Sequence, residues 1–245
     1  MQKNKFTKKT IGILGGMGPE ATIRIQEMIL NYTMANLDQD HIQTLVYNNP
    51  KIPDRTGSIL GYGPSALPYI IEGAKSLQNS GADFIIMPCI TAYFYYNEII
   101  KHISIPVIHI LEETLNYYNY SPFLSSKKKI VLFATSGTIK SFFFQEYFKQ
   151  NGVSLIIPDD PLQEKVMNAI YGIKGIKAGY KKQPRMILLN VIKKMIREFK
   201  PEIIIAGCTE LSLVFKSHEL NIPILDPMQI LAKSSIVKAG YTVKI

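Results

Sequence analysis

No apolar run in this chain of 245 residues approaches the roughly 20 that a membrane-spanning helix needs, so no membrane association is expected. The opening MQKNKFTKK is basic and leads into a glycine-rich turn, with neither the hydrophobic stretch nor the cleavage site of a secretory signal. The cytoplasm is the expected compartment. The four histidines, His41, His102, His109 and His218, form no HExxH or other ligand spacing, so no metal is expected. A GK[ST] phosphate loop is missing, and Gly12, Gly15, Gly16 and Gly18 do not match GxGxxG, which argues against nucleotide and dinucleotide ligands. No local feature marks a Schiff-base lysine for PLP. Acidic residues are the minority, 19 against 28 basic, and the net charge of +9 favours anions in general. It does not select nucleic acid: no DNA or RNA motif accompanies it, and the basic residues of MILLNVIKKMIREF lie opposite Ile187, Val191, Met195 and Ile196, as on a solvated helix face.

Cysteine is scarce too, and its placement is informative. Cys89 and Cys208 each end an apolar run and are closely followed by threonine, in FIIMPCIT and EIIIAGCTE, 119 positions apart. IGILGGMGP from Ile11 and IVLFATSGT from Ile130 are also 119 apart, and IPVIHILE from Ile105 and IPILDPMQ from Ile222 are 117 apart. The chain therefore reads as two related halves. That spacing offers none of the local geometry of a CxxC redox pair, and in the cytoplasm free thiols are normal.

Short β-branched runs alternate with helical periodicity, the pattern of βα units building mostly parallel sheets. The expected fold is α/β, with two pseudo-symmetric domains, each a mostly parallel sheet flanked by helices. If the halves face each other, their strand ends converge on a site in the interdomain cleft, an arrangement that the family resemblance given below also implies. Residues 1–120 plus 226–245 make the first domain and 121–225 the second. Strands are predicted at Thr10–Leu14, Gln43–Asn48, Phe84–Pro88, Val107–Ile110, Ile130–Ala134, Ser154–Ile157, Ile203–Ala206 and Ile224–Leu225. Helices are predicted at Pro19–Asn36, Ser65–Ser80, Tyr93–Lys101, Ile110–Asn119, Ser141–Gln150, Pro161–Ile173, Arg185–Phe199 and Pro227–Lys238. The Pro- and Gly-rich segment 49–66 reads as a long functional loop.

In parallel sheets, ligands collect beyond the carboxyl ends of the strands. Both cysteines sit there, where a helix N-terminus favours thiolate; the plain alternative for each is a small buried hydrophobe. Thr91 and Thr209 could bond a carboxylate, hold a thiol or cap a helix. Glu210 could tune the neighbouring thiol, bind an ammonium group or only complement a helix dipole. The GGMGPEAT turn gathers backbone N–H groups suited to an anion, and ATSGT offers Thr135, Ser136 and Thr138 opposite. Arg55 in PDRTG is the best carboxylate clamp, the alternative being a solvated loop arginine.

Taken together, ILGGMGPEAT, YNNPKIPDRT, DFIIMPCITA, IYGIKGIKAG and IIAGCTELS resemble the aspartate/glutamate racemase family, in its aspartate racemase branch, along almost the whole chain. The resemblance implies a cofactor-independent isomerase using neither PLP nor metal. One cysteine thiolate would remove a proton from the substrate α-carbon and the opposing thiol would deliver another. By matching motif Cys89 and Cys208 are the two bases. Arg55 and Lys177 would hold the substrate's side-chain carboxylate, with Met17, Asn49, Ile90, Thr91, Ala92, Thr138, Thr209 and Glu210 at the pocket. A small acidic amino acid is the implied ligand, and a homodimer the implied assembly.

Two positions depart from the family pattern. Where relatives read Cys-Asn-Thr-Ala-His, this chain has Cys89, Ile90, Thr91, Ala92, Tyr93, so Ile90 cannot supply the asparagine's polar contact. These departures motivate an alternative, a non-catalytic acidic amino-acid binding protein on the same fold. A third option is an isomerase acting on a hydantoin or maleate-like diacid; two cations favour a diacid over a neutral ring.

Overall fold

The computed structural model describes residues 8–214 and 220–244, so His218 lies outside the described part. The chain runs β1 (Ile11–Gly15), α1 (Pro19–Tyr32), β2 (Thr44–Asn48), α2 (Arg55–Leu60), α3 (Leu67–Asn79), β3 (Phe84–Ile86), α4 (Tyr96–Ile99), α5 (Ile110–Tyr120) and α6 (Pro122–Ser125). It continues as β4 (Ile130–Ala134), α7 (Ser136–Lys140), α8 (Phe143–Gln150), β5 (Leu155–Ile156), α9 (Asp160–Tyr171), α10 (Lys182–Phe199), β6 (Ile203–Gly207), β7 (Ile224–Leu225) and α11 (Pro227–Lys238).

Two parallel sheets result, ordered β2-β1-β3 and β5-β4-β6-β7. An isolated parallel bridge from Ile85 to Val107 stands in the first sheet where β7 stands in the second. The halves thus repeat in topology as well as in sequence. The expected strand Val107–Ile110 shrinks to that bridge because His109 caps α5, its ring nitrogen accepting from Glu112 N. Every residue of β1, β4 and β6 is buried, as expected of strands covered on both faces. Along β4 the faces alternate: Ile130, Leu132 and Ala134 join one apolar core while Val131 and Phe133 join the other.

Long-range contacts trim two expectations. Helix α1 stops at Tyr32, short of Asn36, because Thr33 bridges to Val243 and Met34 N donates to Thr242 O at 2.9 Å. Segment 49–66 is not a plain loop. Asp54 accepts from Gly57 N to cap α2, and Gly61 closes that helix in the left-handed region at φ +80°. The last helix, α11, packs back against α1 and α5. Among the described residues no helix is long and apolar enough to cross a membrane.

Candidate active site

In both sheets the chain leaves its first strand for a neighbour on one side and later returns on the other, placing a switch point between β1 and β3 and another between β4 and β6. Loops at such points form a crevice. Here they carry Met17, Cys89, Thr135 and Cys208, and all four line one narrow cavity. Both cysteines therefore line the same cavity, each buried and free of any disulfide. Arg55, Ile90, Thr91, Tyr171, Lys177, Thr209 and Glu210 complete it. A larger, more open cleft adjoins, and Arg55, Lys177 and Glu210 line both spaces.

Each cysteine loop is tied to the opposite half of the chain. Thr91 Oγ1 lies 3.0 Å from Thr135 Oγ1 and 3.1 Å from Thr138 Oγ1, all buried. Conversely, Thr209 Oγ1 donates to the Pro88 carbonyl, next to Cys89, at 3.1 Å. These crossed hydrogen bonds fix one sulfur-bearing loop against the other.

The surroundings of the two sulfurs differ. Cys208 Sγ donates to Glu210 Oε2 at 2.9 Å, and Glu210 Oε1 forms a close ion pair with Lys177. Burial, then the Glu210 charge, pushes the Cys208 thiol well above its ordinary range, with Lys177 opposing. Burial also works against the Glu210 charge, but Lys177 and the Cys208 hydrogen bond hold that carboxyl below its usual value. Cys89 instead faces the Arg55 guanidinium. Arg55 is only 7% exposed, and it donates to the carbonyls of Ile52, Pro53 and Met17 at 3.2, 2.9 and 2.9 Å. Its Nε is buried and, among the described residues, has no hydrogen-bond partner. Burial opposes the Arg55 charge, yet Cys89, Tyr171 and Asp54 outweigh it and raise the pKa.

Three residues expected at the pocket stand behind its wall. Asn49 supports the first turn, its backbone packed against Gly16 and its Oδ1 accepting from Lys51 N at 2.9 Å. Ala92 is fully buried under Cys89, and Thr138 backs Thr91 and Thr135. The two departures separate. Ile90 is on the cavity wall, whereas Tyr93 points away, donating to Ile108 O at 2.9 Å and packing edge-on to His109. Tyr171, inside the IYGIKGIKAG segment, is a lining residue that the sequence does not single out, since nothing local shows its side chain reaching the other half. Among the described residues no group of three or more His, Cys, Asp or Glu side chains is placed to hold a metal.

Comparison with known proteins fits this architecture. Residues 14–234 match the family described as Asp/Glu/Hydantoin racemase. The chain belongs to that family and is an isomerase. The broad specificity amino-acid racemase RacX of Bacillus subtilis (strain 168) is 33% identical over 230 residues, covering 92% of this chain and 96% of the relative. The Picrophilus torridus aspartate racemase superposes with a TM-score of 0.85 at 30% identity, covering 96% of both chains. Glutamate racemase from Francisella tularensis, solved with D-glutamate, shares the fold at a TM-score of 0.68 and 15% identity, covering 96% of this chain and 83% of that one.

Proposed function

We propose that the chain racemises a small acidic amino acid, aspartate foremost, by moving protons between Cys89, Cys208 and the two faces of the substrate α-carbon. The observation that carries this reading is that both sulfurs line one cavity with Arg55 and Lys177. In one direction the Cys89 thiolate takes the α-proton and becomes a thiol. The electron pair left on carbon is delocalised into the α-carboxylate. The Cys208 thiol then donates its proton to the opposite face and is left as thiolate, ready to process the mirror-image molecule.

One feature supports this direction as the one served by the ligand-free enzyme: Cys208 is already bonded as a proton donor to Glu210. An α-carbon is a weak acid, so fixed donors must meet the charge that develops on the carboxylate. Arg55, a guanidinium on the cavity lining, is suited to a carboxylate. Lys177 is already shared with Glu210, so a second ligand carboxylate must compete with Glu210 for it. The same reading divides the chain into 1–120 plus 226–245 and 121–225, supported by the packing of α11 on α1 and α5.

The test is α-proton exchange in deuterated buffer with L- and D-amino acids, followed by NMR and chiral chromatography. Exchange and racemisation of aspartate are expected, and both should vanish in Cys89→Ala and Cys208→Ala. Ligand binding without exchange, or substantial turnover in both variants, overturns the two-thiol reading.

A further inference from the structure

Tyr171 contacts the segments that carry Arg55 and Lys177, which come from opposite halves of the chain. It ends α9 and lines the cavity that holds the two thiols. Its hydroxyl donates to Asp54 Oδ1 at 2.8 Å and lies 3.5 Å from Thr56 Oγ1. Asp54 immediately precedes Arg55, and its other oxygen accepts from Gly57 N at 2.7 Å, capping α2. Holding Asp54 therefore holds the first turn of the helix that presents Arg55. On the other side, Lys177 Nζ stands 5.3 Å from the centre of the Tyr171 ring, within cation–π range.

The contact is well made for a donor. Burial and the neighbouring Asp54 charge push the Tyr171 hydroxyl far above its ordinary pKa, so it keeps its proton. A second seat lies beside it, where α2 rests on α7 at Gly137. A Cβ built there would come 2.9 Å from Thr56 Cα, so backbones meet without an intervening side chain. With α2 fixed at both places the sulfurs are buried, although an amino acid must reach them.

We propose that Tyr171 is a positioning residue whose hydroxyl latches α2 onto the second half, aligning Arg55 with Lys177 and controlling access to Cys89 and Cys208. The part concerning substrate affinity rests on the racemase reading above; the part concerning access does not.

Tyr171→Phe removes only the hydroxyl and leaves the ring beside Lys177, while Tyr180→Phe, at a half-exposed tyrosine beyond Lys177, serves as the control. Alkylation of each cysteine by iodoacetamide is measured in the ligand-free protein by peptide mass spectrometry, alongside Tm and aspartate kinetics. In Tyr171→Phe both cysteines are expected to react about tenfold faster with Tm within about 2 °C of the parent, the mark of local opening. KM should rise about tenfold with kcat changed less than about threefold, the mark of lost binding alignment. Alkylation within about twofold of the parent overturns the latch, as does acceleration that tracks a fall in Tm, since the hydroxyl would then serve global stability alone. If the parent turns over no amino acid, the functional reading fails, and the alkylation rates still decide the latch.

Discussion

Replacing Glu210 by glutamine removes a charge while keeping the size of the side chain. In the parent the Glu210 carboxylate accepts from Cys208 Sγ at 2.9 Å and pairs with Lys177 on its other oxygen. Its negative charge opposes ionisation of the sulfur, and it also neutralises the nearest ammonium. Glutamine ends both effects, so the Cys208 thiol becomes more acidic. Two unit charges about 4 Å apart interact by about 4 kcal/mol at an effective dielectric of 20. If relaxation and water leave even a third of that, the change is about 1.4 kcal/mol, a tenfold rise in thiolate.

The assay isolates one sulfur. In a Cys89→Ala background, alkylation of Cys208 is followed against pH by mass spectrometry, with and without Glu210→Gln. A rate at least about tenfold higher near neutral pH is expected, because the thiolate is the nucleophile. The variant also strands Lys177, which is 20% exposed, so the loss of stability should be about 1 to 3 kcal/mol, below that of a fully buried pair. The acid dependence should change with it. Glu210 has a folded pKa below its unfolded value, so its contribution is present above the unfolded pKa and lost as pH falls through the folded one. Superimposable alkylation profiles with and without the carboxylate would refute the assigned coupling between Glu210 and Cys208.

Gly16→Ala should destabilise by about 3 kcal/mol or more in urea unfolding, because Gly16 sits at φ +92° and a Cβ would stand 2.2 Å from the Asn49 carbonyl oxygen; a loss under about 1 kcal/mol contradicts that packing. Ile90→Asn returns a polar group to the cavity wall and should lower KM for aspartate by up to about tenfold while lowering Tm, as one buried hydrogen bond allows; an unchanged KM would show that position 90 does not meet the ligand. His109, partly buried among Tyr93, Tyr96 and Tyr147, has its pKa pushed down to about 4 by burial. The unfolded chain binds that proton near pH 6.5, so the stabilisation is complete above that pH and is lost as pH falls toward 4. Discounted for partial exposure it is about 1 to 2 kcal/mol, and His109→Asn, which keeps a helix cap, should lose that much less than the parent between pH 7 and 4.5.

What the sequence made legible follows how local each signal is. The bounds of β4, β7 and α11 match the prediction because apolar runs and an Asp-Pro helix start lie within a few residues. The end of α1 was illegible, since it is set by strand-like pairing with residues 242 and 243, far along the chain. Helix α2 was hidden by the low helix propensity of RTGSIL, although Asp54 and Gly61 were available as cap signals. At the site, the duplicated cysteine contexts could be read because repetition multiplies a weak cue. Lys177 came only from its match to the family motif, and nothing local reveals Glu210, 33 positions away, as its partner. Tyr171 and Asp54 are separated by 117 positions, and neither belongs to a spacing that advertises the contact.

A duplicated fold supplies two equivalent sulfur positions, but this chain gives them unequal neighbours: a guanidinium beside Cys89, and a carboxylate bonded to Cys208. For an enzyme interconverting enantiomers, that inequality has a restricted form of expression. The two free enantiomers have equal free energy, so kcat/KM must be the same for both, whatever surrounds the cysteines. The asymmetry can appear only in kcat and KM separately, with the enantiomer that meets the resting protonation form showing the lower value of each. Glu210→Gln weakens the preference of Cys208 for its proton, so the gap between the two KM values should narrow while the kcat/KM ratio stays at unity. Progress curves started from pure L- and pure D-aspartate measure both quantities. A KM gap unaffected by the substitution would mean that Glu210 does not set which sulfur begins as the acid.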